Sequence, residues 1–214
     1  MQTVYSRLFF AFSLLYLLLQ PFEPLAISWL IKILPIIMLI IAVTKTQIFA
    51  GKALLLFALG FSATGDILLE QGHFISGIAA FLIAQLHYGV FFARNWSSVK
   101  TRWPMSVFIL TFILIMTFLL SPHLGEFTLP VFSYLVVISL MGLLAIQSSL
   151  PLRWAVLGAF VFILSDCFIA IDRFLLPLPL SGYLIMTTYY GAQWMIIQGA
   201  LNRLKSIKSN IKVV

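Results

Sequence analysis

Residues 51–70 read GKALLLFALGFSATGDILLE and residues 153–172 read RWAVLGAFVFILSDCFIAID. Each run has about the 20 apolar residues that a helix needs to cross a bilayer. Each also sets an aspartate, Asp66 or Asp166, deep in that run. A charged side chain at the centre of a membrane helix costs at least about 2.5 kcal/mol, so such residues face a bundle interior or a wet cavity and mark function. The chain has only six acidic residues, and two of them stand where solubility cannot explain them.

The rest of the composition agrees with a membrane setting. Apolar residues make up 62% of the chain and charged residues 9%, and the mean hydropathy is +1.11. These values exclude an ordinary soluble domain and predict an all-α integral membrane protein. The single Cys167 excludes an intramolecular disulfide and a cysteine-rich metal site, and reads as a small apolar filler. A pI of 9.8 in a soluble chain would suggest nucleic acid. Here the basic residues flank apolar segments, which is a topology signal, and no nucleic-acid partner is expected.

Eight apolar stretches are predicted to span: 5–20, 25–43, 51–70, 74–94, 104–121, 127–148, 154–175 and 180–201. The first is short and resembles a signal peptide, but Gln20-Pro21 follows it instead of a small-residue cleavage site. Pro21, Pro24, Gly72, Pro104, Pro122, Pro151, Pro177 and Pro179 punctuate the connections. With the N-terminus in the cytoplasm, the inner side collects Arg7, Lys45, Lys52, Arg94, Lys100, Arg102, Arg153, Arg203, Lys205, Lys208 and Lys212. The outer side collects Arg173 with Glu23, Glu70, Glu126 and Asp172. This bias is the positive-inside pattern, and it places both termini in the cytoplasm. The chain divides into one transmembrane helical domain over 1–202 and a basic cytoplasmic tail over 203–214 that lies on anionic membrane lipids. A Met-initiated, inside-positive chain of this kind reads as a bacterial inner membrane protein, with a eukaryotic internal membrane as the alternative.

An internal echo runs through the sequence. Gly65-Asp66 is followed by His87-Tyr88-Gly89, and Ser165-Asp166 by Tyr189-Tyr190-Gly191, with 22 and 24 positions from the aspartate to the second residue of each tripeptide. The pattern is compatible with two parallel four-helix halves whose aspartates face one another. At 1.5 Å per residue Asp166 lies roughly 18 Å into its helix, near the middle, while Asp66 falls in the outer half. Tyr189 and Gln193 are one turn apart, with Tyr190 three residues before Gln193. His87, with Gln85 and Tyr88, lies deeper toward the cytoplasm.

Five helices therefore offer polar groups to a central band: Lys32, Asp66, His87 with Tyr88, Asp166, and Tyr189 with Tyr190 and Gln193. Each has a plainer reading. Lys32 could snorkel or neutralise a carboxylate, and the tyrosines could be packing residues with satisfied hydroxyls. His87 could be a hydrogen-bonded bundle histidine, and Glu70 reads as a solvated residue at the outer mouth. His73, His87 and His123 have no metal-site spacing. Gly-x-Ser-x-Gly and phosphate-loop motifs are also missing from the sequence. Paired carboxyl groups with hydroxyls, an amide and a cation remain.

Lys32-x-x-Pro35, Gly65-Asp66, His87-Tyr88, Ser165-Asp166, and Tyr189-Tyr190 with Gln193, in that order, resemble the YhhN-like family of eight-helix membrane proteins, which includes the transmembrane lysoplasmalogenases. The resemblance runs from the second helix to the eighth. It implies an alkenyl ether hydrolase that acts with water on a lysoplasmalogen, a 1-alkenyl lysophospholipid, and releases a fatty aldehyde and glycerophosphoethanolamine or glycerophosphocholine. The family's membrane aspartates would fall on Asp66 and Asp166.

The chemistry suits two carboxyl groups. A vinyl ether hydrolyses by protonation at its β-carbon, and water captures the resulting oxocarbenium ion. A protonated carboxyl supplies the proton and an ionised one faces the cation, as in glycosidases. On this reading Asp166 is the general acid and Asp66, nearer the mouth, is the base, with the reverse assignment as the alternative. Lys32 would hold Asp66 ionised or bind the phosphate, and His87, Tyr88, Tyr189, Tyr190 and Gln193 would bind substrate. No cofactor or metal is required. Two other functions use the same residues: a proton-coupled transporter, and a hydrolase of another lipid ether, ester or amide.

Overall fold

The computed structural model of the protein describes residues 3–22, 25 and 27–211, with 204–211 described by backbone alone. Glu23, Pro24 and Lys212 lie outside the described residues, as do the side chains of Lys205 and Lys208. Eight helices follow one another: α1 (Thr3–Leu19), α2 (Ser28–Thr44), α3 (Lys52–Glu70), α4 (Phe74–Ala93), α5 (Trp103–Leu120), α6 (Thr128–Ile146), α7 (Leu157–Phe174) and α8 (Ser181–Ile211). They match the eight predicted spans, and no strand is present among the described residues.

Six of these helices, some extended by short terminal turns, are long and apolar enough to cross a membrane, while α2 is apolar but has 17 residues. Large apolar side chains on the periphery, among them Phe118, Leu114 and Leu129, are exposed, as expected where lipid is the solvent. The protein is an all-α integral membrane bundle. The last helix differs from the predicted span, which ends at 201. Nothing after Gly199 in the sequence is a glycine or proline, so no breaker stops the helix, and α8 carries on to Ile211.

Short connections set neighbours antiparallel, so eight helices return the chain to the end where it began. Gly72, at φ 80°, makes one of these turns: α3 ends at Glu70 and α4 starts at Phe74. We call the end with the termini the terminal end and its opposite the distal end. At the terminal end two basic residues close helix C-termini. Lys52 Nζ donates to Thr44 O (2.8 Å) and Thr46 O (2.7 Å) after α2. Arg102 Nη1 donates to Ile146 O and Ser148 O, both at 3.0 Å, after α6. Cations at helix C-termini satisfy orphan carbonyls and meet the negative pole of the dipole. Part of the positive charge at this end is therefore structural.

α3 packs along α4, α7 along α8, and α4 along α6. The α7–α8 contact depends on small residues. A Cβ at Gly199 would come within 2.6 Å of Ala155 N, and one at Gly158 within 2.9 Å of Ile196 N, which is backbone in both cases. Small residues allow such approach in membrane bundles, where packing instead of hydrophobic exclusion holds helices together. Gly199→Val should force the pair apart and cost about 1–3 kcal/mol. Thermal unfolding in detergent should show a lowered midpoint for this variant. Gly60→Ala, at a position with nothing within 4 Å, should leave the midpoint unchanged or raise it.

Candidate active site

The face of α8 that carries Tyr189, Tyr190 and Gln193 meets α2, α3 and α4 through hydrogen bonds. Tyr189 Oη donates to Asp66 Oδ2 at 2.7 Å. Tyr190 Oη donates to Lys32 O at 2.7 Å. Tyr88 Oη donates to Gln193 Oε1 at 2.5 Å, and Gln193 Nε2 donates to Ser62 Oγ at 2.9 Å. Six of the predicted residues thus form one connected, buried assembly around Asp66, which is 2% exposed. Tyr190 also has a local role. Pro35 lies inside α2, lacks an N–H and crowds the preceding turn, and the Tyr190 hydroxyl bonds a carbonyl of that turn.

Lys32 is placed between two carboxylates. Its Nζ lies 3.0 Å from Glu70 Oε2 and within electrostatic reach of Asp66. The expectation of a solvated Glu70 is therefore corrected: Glu70 is a largely buried ion-pair partner, its side chain 16% exposed. Asp66 and Glu70 are one helical turn apart, so a lysine crossing from α2 meets both. Of the two roles considered for Lys32, this geometry suits a local cation beside Asp66. A second correction concerns Asp66 itself, which was expected near the mouth and water and is instead fully packed.

His87 does not join this group. Its Nδ1 lies 2.8 Å from Ile83 O of its own helix, and its ring packs on Phe57 and Phe61 of α3.

Asp166 has different surroundings. It is half-buried because it lines a cavity in the distal half of the bundle among α4, α5, α6 and α7. The wall is almost entirely aliphatic and aromatic, with Phe74, Ile78 and Phe81 from α4 and Ile163 and Phe174 from α7. Its polar lining comes from Asp166, Tyr134 and the thiol of Cys167. Tyr134 Oη donates to Asp166 Oδ2 at 2.5 Å. This partner comes from α6 and was missed in the sequence: a lone tyrosine in TLPVFSYLVV resembles any packing aromatic, and no spacing ties it to Asp166. The two aspartates lie within electrostatic reach of one another but do not touch. Phe81, edge-on to Tyr189 and packed against Gly65, forms the cavity wall on the side of Asp66.

The arrangement comprises a hydrogen-bonded carboxyl at an apolar cavity and, behind an aromatic wall, a second carboxyl with its own cation. It can donate a proton to a hydrophobic molecule and stabilise positive charge that develops there. Among the described residues no group of three or more His, Cys, Asp or Glu is placed to hold a metal.

Comparison with known proteins gives a consistent result. Residues 27–200 match the YhhN family. The chain is similar to lysoplasmalogenase TMEM86A of Bos taurus, with 33% identity over 87% of this chain and 83% of that one. It is also similar to lysoplasmalogenase TMEM86B of Homo sapiens, with 32% identity over 82% and 77%. A lysoplasmalogenase of Mycobacterium bovis shows 32% identity over 66% of this chain and 58% of its own. No solved structure matches. With most of its length covered by that match, and with the family's ordered motifs brought together in one bundle, the chain belongs to the YhhN family.

Proposed function

We propose that this protein is a lysoplasmalogenase: an ether-bond hydrolase that cleaves the vinyl ether of a 1-alkenyl lysophospholipid to a fatty aldehyde and a glycerophospho-alcohol. The observation that carries this reading is the placement of Asp166, the one carboxyl on the wall of an otherwise apolar cavity. Relatives named lysoplasmalogenase support the substrate class. A hydrocarbon chain suits such a wall, and a carboxyl beside it is positioned to protonate carbon.

In this reading Tyr134 donates to one oxygen of Asp166 and fixes the side chain, so that the other oxygen presents its proton to the β-carbon of the enol ether. General acid catalysis of this kind is worth about 10²–10⁴-fold. The positive charge that develops on the ether carbon and oxygen is stabilised by the Asp66 carboxylate, which Tyr189 bonds and Lys32 attends. Fixed charges in a water-poor site act strongly because they need no reorganisation. Asp66 is therefore assigned the ionised partner's role. It is not given direct contact with the water, because Phe81 stands at the wall in front of it. Tyr88, Tyr190 and Gln193 hold α8 in register for Tyr189 and act as positioning residues. Water is the co-substrate and no cofactor enters. The positive-inside pattern supports cytoplasmic termini and a tail on anionic lipid, and a bacterial inner membrane is the proposed location.

The test is aldehyde release by the purified protein in detergent from 1-alkenyl lysophosphatidylethanolamine, beside the 1-alkyl and 1-acyl analogues. Release is expected from the alkenyl lipid alone. Hydrolysis of the acyl lipid instead would overturn the substrate, and no turnover of any of the three would overturn the reading. Asp166→Asn and Asp66→Asn should each lower kcat by about 100-fold or more and remain inserted and folded. A near wild-type rate in either variant removes that residue from the mechanism. Tyr134→Phe loses one hydrogen bond to a carboxyl group and should lower kcat about tenfold with little change in KM. A KM effect alone would make Tyr134 a wall residue.

A further inference from the structure

Phe74, Ile78 and Phe81 line the cavity from α4, and their spacing of four and then three residues marks one helix face. Gln85 continues that stripe, one turn beyond Phe81 toward the terminal end. It is fully buried and reaches toward the Tyr134 hydroxyl without closing a hydrogen bond. Among the described residues neither its Nε2 nor its Oε1 has a partner. The contrast with Gln193 is direct, since that equally buried amide accepts from Tyr88 and donates to Ser62. The bundle can pair an amide, yet Gln85 is left unpaired next to Tyr134, which lines the cavity together with Asp166.

Buried polar groups are normally satisfied, and an exception points to strain, to function or to a bound molecule. A primary amide offers two donors and an acceptor. A buried water needs two or more polar partners, and Gln85, Tyr134 and Asp166, linked through Tyr134, supply three from three helices.

We infer that Gln85 positions the water that captures the oxocarbenium ion, an inference that rests on the vinyl ether hydrolase reading. Asp166 gives its proton to the β-carbon, where the electron pair of the C=C bond forms the new C–H bond and leaves the cation at the ether carbon. The water donates one proton to Gln85 Oε1 as a hydrogen bond, which turns its lone pair toward that carbon. As the new C–O bond forms, the other water proton passes to the Asp166 carboxylate and restores the acid. The neutral hemiacetal then breaks its bond to the glycerol oxygen. Its hydroxyl proton ends on that leaving oxygen, so the products are aldehyde and alcohol.

The test uses purified Gln85→Leu and Gln85→Met with 1-alkenyl lysophosphatidylethanolamine in H₂O and in D₂O. Both variants should lower kcat about tenfold or more with KM within about twofold. Both should also melt at or above the wild-type temperature, because an unpaired amide is replaced by an apolar group. The diagnostic readout is isotopic. When water capture is slow, the β-carbon that has received a deuteron can turn about its bond to the ether carbon and give up its original proton instead, so unreacted lipid recovered from D₂O should carry deuterium at the vinyl β-carbon in the variants and none in the wild type. Wild-type kcat in both variants overturns the inference, as does a slowed rate without deuterium wash-in or a loss of fold in both. Each of those outcomes leaves the hydrolase reading standing if the wild type releases aldehyde. No aldehyde from the wild type sinks both.

Discussion

The hydrogen bonds that α8 sends to its neighbours hold the centre of this bundle together. In lipid there is no water to satisfy a stray hydroxyl or carboxylate, and an unpaired group costs several kcal/mol. Tyr189 to Asp66, Tyr190 to the Lys32 carbonyl, and Gln193 to Ser62 therefore connect α8 to α2 and α3 at fixed register. Tyr88 adds α4 through Gln193. On its other side α8 lies against α7 through Gly158 and Gly199, and Ser165 Oγ donates to Ile185 O at 3.0 Å. One helix thus carries the position of Asp66 and, through α7, that of Asp166.

Their environments give the two aspartates different chemistry. Asp66 has a tyrosine donor and a lysine, and the same lysine is ion-paired with Glu70. Breaking a buried ion pair by removing one partner leaves an uncompensated charge, so Lys32 and Glu70 stand or fall together. Asp166 has a tyrosine donor and an apolar cavity. In the proposed mechanism the first setting serves the ionised partner and the second the proton donor that meets a hydrophobic guest. A split of this kind between two carboxyl groups is how acid and base roles separate elsewhere.

Much of the fold was legible in the sequence because the bilayer imposes a length and a polarity on every span. Proline and glycine then mark the turns, as Gly72 does between α3 and α4. The apolar span over 180–201 marks the membrane-crossing part of α8, and the helix carries on to Ile211 because nothing beyond it breaks a helix. The Asp66 half of the site was legible because Tyr189 and Gln193 share a helix face and stand out in an apolar run. The Asp166 half was not. Tyr134 reaches Asp166 across a helix pair that no sequence spacing reports, and Gln85 was named only as a neighbour of His87. Glu70 was assigned to solvent from its place at a helix end, since the approach of Lys32 depends on how α2 rotates against α3.

The internal echo shows why the site is asymmetric. If the two halves were equivalent, Asp166 would take its partner from His87, as Asp66 takes Tyr189. Instead His87 bonds its own helix and stacks against α3, and Asp166 turns to Tyr134 of α6. That exchange keeps an imidazole away from the cavity and leaves the amide of Gln85, one turn beyond Phe81, with no side chain to bond. A strict repeat would have given two alike carboxylates, each closed off by a partner from the other half. Departing from it at Tyr134 opens one aspartate to a cavity while the other remains sealed beside Lys32, and the difference between them is what a proton donor facing a charge stabiliser requires.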